Sequence, residues 1–235
     1  VSLKQKDFSM LEKIYKYVVS TVFKPYLIWY LKNERLTKVY GFDLLIKPTV
    51  FHPKYFFSSR YLVEFVLKLN LEYKTCLELG CGSGILSLMV YKRNGIVTCS
   101  DINQIAIECT KVNFRKNFGN NSPSFQVIKS DLFQFIPKIY FDFIFINPPY
   151  FFEEVSEDHQ LAWNCGKNGE YFLNFFSQLS LFIGDSSQVY MVLADNCDIN
   201  RISEIALRHS FCLKKVEEKK IKWEINYIYK IEIQE

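Results

Sequence analysis

The tetrapeptide Asn147-Pro148-Pro149-Tyr150 follows a strand-like segment from Phe141 to Ile146 and sets two hydrogen-bond acceptors side by side. Proline has a fixed φ and no N–H, so Pro148 and Pro149 hold the backbone and leave the nearby carbonyls without competing donors. The Asn147 side-chain oxygen and the Pro148 carbonyl can then accept both hydrogens of an incoming NH₂ group, while Tyr150 covers its flat face. An amide or aromatic amine nitrogen is a poor nucleophile, because its lone pair is delocalised. Two fixed acceptors align it with an electrophile and stabilise the positive charge it gains in the transition state, and no general base is needed beforehand. The plain alternative is a rigid Pro-Pro turn.

A second set of residues reads as a nucleotide site. Leu77-Glu78-Leu79-Gly80-Cys81-Gly82-Ser83-Gly84 follows an apolar strand and opens a helix. Side chains in place of Gly80, Gly82 and Gly84 would block the turn or the approach of a ligand to the backbone, and the helix start offers free N–H groups. A dinucleotide would place its pyrophosphate there. Glu78 would repel phosphate but suits the ammonium group of methionine. Asp101 stands 17 residues after Gly84, followed by Ile102, where a carboxylate can hold two ribose hydroxyls. Asp101 can equally cap the next helix. In Ser130-Asp131-Leu132 the carboxylate can accept from an adenine amino group and a main-chain N–H can donate to the ring. The expected cofactor set is thus Glu78, Gly80, Cys81, Gly82, Gly84, Asp101, Ile102, Asp131 and Leu132, bordered by Asn147; the expected catalytic set is Asn147, Pro148, Pro149 and Tyr150.

These residues need a scaffold that brings strand ends together. Thr75–Leu79, Ile96–Ser100, Phe125–Lys129, Phe141–Ile146 and Gln188–Leu193 read as strands, and Ile85–Lys92, Gln104–Asn117, Glu170–Phe182 and Ile199–Arg208 as helices. Such alternation implies an α/β fold of βαβ units, with a parallel sheet and helices on both faces. Cys212–Glu217 and Trp223–Ile233, joined by Glu218-Lys219-Lys220, read as a closing antiparallel hairpin. Before the core come a helix from Ser58 to Leu69, a strand from Phe42 to Ile46, and an amphipathic arm expected to be helical to Phe23, broken near Pro25 and resumed toward Leu31.

The 235 residues suit one core domain plus an appendage, with 49% hydrophobic residues and 17% aromatics excluding large-scale disorder. Residues 1–60 hold eleven Lys/Arg against four Asp/Glu, so the net charge of +4 is polarised along the chain. A basic arm can approach RNA or an acidic partner, or it is a solvated helix face. The seven cysteines lack a CxxC pair and read as reduced core residues of a cytoplasmic protein. Lys24 and Pro25 interrupt the apolar stretch from Tyr17 to Leu31, which is too short for a membrane span. His52, His159 and His209 match no metal spacing, so no metal is expected, although His52 falls in a loop beside the expected cofactor.

From about Val50 to Ile233 the sequence resembles the class I methyltransferases with an Asn-Pro-Pro-Tyr motif, and within them the HemK-like release-factor glutamine methyltransferases. The resemblance rests on Glu78–Gly84, Ser100-Asp101-Ile102-Asn103 with Ala106, Cys109 and Asn113, Asn147–Tyr150, and Trp163-Asn-Cys-Gly166-Lys-Asn-Gly169. It implies a Rossmann-like seven-stranded sheet, S-adenosylmethionine as cofactor, and an acceptor nitrogen held by the motif Asn and Pro. The chain is expected to divide into an N-terminal helical arm with a short strand and loop (1–60) and a methyltransferase domain (61–235). The chain departs from the family at Phe51–Ser59, which lacks the acidic residue of the proline-acidic-threonine signature. The expected partner is a macromolecular methyl acceptor: a protein glutamine, as in a release factor, or alternatively a guanine or adenine amino group in RNA. A non-catalytic adenosylmethionine-binding module would not need Asn147–Tyr150. A nicotinamide dehydrogenase is disfavoured by Glu78 and by the lack of an acid placed for hydride transfer.

Overall fold

The computed structural model describes residues 33–55, 57–119, 122–155, 158–222 and 224–234; the expected arm helices lie outside them. In chain order the elements are β1 (Arg35–Val39), β2 (Phe42–Ile46), α1 (Phe57–Val66), β3 (Thr75–Leu79), α2 (Ile85–Lys92), β4 (Ile96–Asp101), α3 (Gln104–Phe118), β5 (Phe125–Lys129), β6 (Phe143–Ile146), a 3₁₀ turn (Asp158–Ala162), α4 (Glu170–Leu179), β7 (Gln188–Ala194), α5 (Ile199–Arg208), β8 (Phe211–Ile221) and β9 (Glu224–Ile233).

β3 to β9 form one sheet in the order β5-β4-β3-β6-β7-β9-β8. The first five strands run parallel, and β9 pairs antiparallel with both β7 and β8. Phe143-Ile-Phe-Ile146 shows why the sheet is covered twice: all four residues of β6 are buried, with Phe143 and Phe145 in one core and Ile144 and Ile146 in the other. An apolar run without alternation is what a parallel strand between two helix layers requires. The first face is covered by Leu62 and Val63 of α1, Leu86 and Val90 of α2, and Ile107 and Phe114 of α3. Phe172, Phe175 and Phe176 of α4 and Ile202 of α5 fill the second.

The chain leaves β3 toward β4 and β5 on one side, and returns through β6 to β7 on the other. A crevice therefore opens at the carboxyl edge between β3 and β6, the switch point at which open α/β sheets bind ligands.

β1 and β2 form a separate two-stranded hairpin that the periodicity alone did not reveal. Tyr40 and Gly41 both have positive φ (51° and 84°), as a two-residue type I′ turn requires. The hairpin is fastened to α3 by two asparagines one turn apart. Asn113 accepts from Leu45 N (2.7 Å) and donates to Leu45 O, and Asn117 does the same with Asp43. Phe42, Leu44, Ile46 and Val50 thereby join the core of the first face.

The terminal hairpin corrects one expectation. The charged segment Glu218-Lys219-Lys220 is not its turn: these residues pair with Tyr227, Asn226 and Ile225, and the reversal falls after Ile221. β8 is the sheet edge, where charged side chains reach solvent without leaving the ladder and protect it from further pairing. Trp223, expected to open the last strand, lies outside the described residues.

Candidate functional site

A cleft of about 1320 Å³ crosses the carboxyl edge of the sheet. Glu78, Gly80, Cys81, Gly82, Asp101, Ile102, Asp131 and Leu132 line it with Asn147, Pro148, Pro149 and Tyr150, so both sequence-derived sets, Gly84 excepted, meet in one cavity.

The glycine turn is held from beneath. Gly80 N and Cys81 N both donate to Ser100 O (2.9 and 2.8 Å), which ties the turn to the end of β4. Thr110 Oγ1 donates to Gly82 O, and Asn113 Nδ2 donates to Ser83 O. Gly80 (φ 78°) has no atom within 4 Å of where a Cβ would stand, and Gly82 (φ 52°) has only Val50 Cγ1 at 4.0 Å. The space over these two residues is open, which fits a bound molecule there. Gly84 is different: it does not line the cleft, and a Cβ on it would lie 2.8 Å from Thr110 Cγ2. Its part is to let α2 approach α3.

Gly84 is also the N-cap of α2 and offers no capping side chain. Glu78 supplies the missing cap from β3, with Oε2 accepting from Ser87 N (3.0 Å) and from the Ser87 hydroxyl. Burial pushes the Glu78 carboxyl up to about 8; the two Ser87 bonds oppose this and the Asp101 charge adds to it. Oε1 remains for a cation in the cleft.

Asp101 bridges two backbone amides, Gly82 N to Oδ2 and Asn103 N to Oδ1, both at 2.9 Å. It does not cap α3; Asn103 does, accepting from Ile105 N. Each Asp101 oxygen keeps a lone pair for a hydroxyl. Burial raises its carboxyl and the backbone bonds counter the rise. Beyond β5, Leu132 holds a positive φ of 46°, unusual for a branched side chain. The buried Ser130 hydroxyl maintains it by donating to Leu132 O and accepting from Phe135 N. Tyr171 of α4 completes this end, near the charges of Asp101 and Asp131, with its hydroxyl held protonated mainly by burial.

At the other end, Asn147 Nδ2 donates to Ser59 Oγ of α1 at 2.9 Å. This bond fixes the amide plane and leaves Oδ1 on its opposite side. Ser59 lies 88 residues before Asn147, and no local sequence signal marks it. The loop after β6 is pinned by Trp163, whose carbonyl accepts from Tyr150 N and Phe151 N, both at 3.0 Å. Burial raises the Tyr150 hydroxyl above its ordinary value, with smaller contributions from the charges of Cys197 and Glu224, so it stays protonated.

His52 is buried outside the cleft lining, accepts from Lys54 N through Nδ1, and is kept neutral by burial, its ring lowered to about 4. Its role is to shape the loop before α1. Among the described residues no cluster of His, Cys, Asp or Glu could hold a metal ion, and no helix is long and apolar enough to cross a membrane.

The sheet order and the crevice at its switch point make this a Rossmann-like domain of the kind seen in methyltransferases. The 16S rRNA methyltransferase RsmC of T. thermophilus, solved with AdoMet and guanosine, overlays with a TM-score of 0.60 at 16% identity, covering 86% of this chain and 50% of that one. Residues 42–209 match the family described as Methyltransferase small domain, and the chain belongs to that family. The release factor glutamine methyltransferase of Clostridium botulinum is 35% identical over 127 residues, 52% of this chain and 44% of that protein. The ribosomal RNA large subunit methyltransferase G of Vibrio atlanticus is 29% identical over 108 residues, 45% and 27% respectively. The chain thus spans less than half the length of these curated relatives.

Proposed function

We propose that the protein transfers a methyl group from S-adenosylmethionine to a planar amino nitrogen of a macromolecule. The observation that carries this reading is the Asn147–Ser59 bond, which holds an acceptor oxygen at the mouth of a cleft whose far end is a glycine turn beside the half-buried carboxylate of Glu78. Adenosylmethionine supplies an electrophilic methyl on a positively charged sulfur. Glu78 Oε1 takes the ammonium, Gly80 and Gly82 give the methionine chain room over Cys81, and Asp101, Ile102, Asp131 and Leu132 receive the adenosine.

Asn147 Oδ1 and the Pro148 carbonyl accept the two hydrogens of the acceptor nitrogen, Pro149 keeps the turn rigid, and Tyr150 closes over its face. A nitrogen–carbon bond forms as the sulfur–carbon bond breaks, and the nitrogen then releases one proton to water. The tyrosine is kept protonated and is no base for this step.

A glutamine amide and a nucleobase amino group present the same NH₂ to this loop, and the relatives named above include enzymes of both kinds. The test is transfer of labelled methyl from adenosylmethionine to cell extract separated into protein and RNA. Label in either fraction that depends on Asn147 supports the reading; no transfer by a protein that binds the cofactor removes it.

A further inference from the structure

Tyr171, in the first turn of α4, lines the cleft on the side of Asp101 and Asp131. Its ring stands edge-on to that of the buried Phe172, with centroids 5.4 Å apart, and its N–H donates to Cys165 O at 3.0 Å, so ring and backbone both have a fixed place. Its hydroxyl makes no hydrogen bond among the described residues. Burial, and after it the charges of Asp101 and Asp131, keep that hydroxyl protonated, so it has a hydrogen to give. Two other donors of this end are already committed: Ser130 Oγ donates to Leu132 O, and Asn103 Nδ2 donates to Thr49 Oγ1. A half-buried donor that faces a cleft and has no protein partner is matched by a bound molecule that supplies the acceptor.

Adenosine carries polar groups of two kinds. Its donors, the ribose hydroxyls and the amino group, suit the carboxylates of Asp101 and Asp131, which when ionised only accept. Its acceptors, the purine ring nitrogens and the ribose ring oxygen, need a donor, and an sp² ring nitrogen is a better acceptor than an ether oxygen. We propose that Tyr171 is a further cofactor-binding residue, its hydroxyl donating to a purine ring nitrogen of the adenosine. This inference rests on the adenosine placement proposed above and adds a side-chain donor to it.

The test is calorimetric titration of S-adenosylhomocysteine into wild type, Tyr171→Phe and Asp131→Ala. Tyr171→Phe keeps the ring and should weaken binding about threefold to tenfold. Its melting temperature without ligand should stay at or above the wild-type value, because the substitution strips no protein group of a partner. Three analogues of S-adenosylhomocysteine, with CH in place of purine N1, N3 or N7, identify the partner atom. One of them should bind wild type more weakly by the factor that Tyr171→Phe costs, and should bind Tyr171→Phe no more weakly than the parent compound does. If wild type binds no S-adenosylhomocysteine, or Asp131→Ala binds it undiminished, the adenosine placement fails and the inference falls with it. If the placement holds, three results overturn the inference alone: equal affinity of wild type and Tyr171→Phe, a lowered melting temperature that marks the hydroxyl as structural, or no analogue whose loss disappears in Tyr171→Phe.

Discussion

The observed capping role of Glu78 and its proposed role as ammonium partner make opposite demands on its proton. As the cap of α2 it needs only one oxygen, and burial pushes its carboxyl up to about 8. As the partner of an ammonium it must be ionised. Cofactor binding should therefore release a proton, and affinity should fall about tenfold per pH unit below about pH 8, checked by calorimetry in buffers of different ionisation enthalpy. The sign for folding is the reverse: a raised carboxyl stabilises the ligand-free fold at low pH, and this contribution is lost as pH rises through about 8. Affinity independent of pH from 6 to 8, an interval chosen from that raised value, would assign the ammonium elsewhere. Two glycines in one turn should also separate. Gly82→Val fills the open space at a positive φ and should abolish cofactor binding in a folded protein, whereas Gly84→Ala meets Thr110 and should lower stability first. Thermal melts with and without cofactor distinguish them. Asn147→Ala should cost about 10²-fold to 10³-fold in turnover with little loss of cofactor affinity. Near-normal turnover would remove this loop from the chemistry.

At the scale of elements, Asn113 links the hairpin to the turn. It is fully buried and bonds Leu45 N, Leu45 O and Ser83 O. Asn113→Ala strips three main-chain groups of their partner and should destabilise by about 2–4 kcal/mol, read from urea denaturation, and should loosen cofactor binding through Ser83. A variant as stable as wild type would show that water replaces the amide. The sequence announced Asn113 only through family resemblance, because a buried asparagine on an apolar helix face has no pattern of its own. Elements bounded by clear punctuation were legible: β3 and α2 meet at the glycines, and α5 begins after Asp198, whose side chain accepts from Arg201 N. β1 was not, since Arg-Leu-Thr-Lys-Val lacks a clean apolar face and is held by pairing with β2. The β8 charges were read as a turn because local composition does not reveal which strand lies at an edge. In the site, residues at strand ends were visible, while their supports were not. Ser59 and Ser87 act on partners distant in sequence, so their types alone carry no signal, whereas Trp163 stood out in the sequence and its anchoring of the loop runs through its main-chain carbonyl.

For the whole molecule, we place the start of the methyltransferase unit at Arg35, because Phe42, Leu44, Ile46 and Val50 share the core of the first sheet face. Residues 1–32 carry six lysines against Asp7 and Glu12, which equals the net charge of +4 of the entire chain. The remainder is electrically balanced, so we propose that long-range attraction of a macromolecular acceptor falls to that segment. Removing residues 1–32 should leave cofactor affinity unchanged and raise the KM for a macromolecular acceptor, most at low ionic strength. If the segment pairs with phosphates, the salt dependence of KM should flatten by roughly 0.7 for each lysine engaged on a single strand. A protein that loses cofactor affinity or no longer folds without these residues would make them part of the core, and their charge would then have no separate role in recruiting the acceptor.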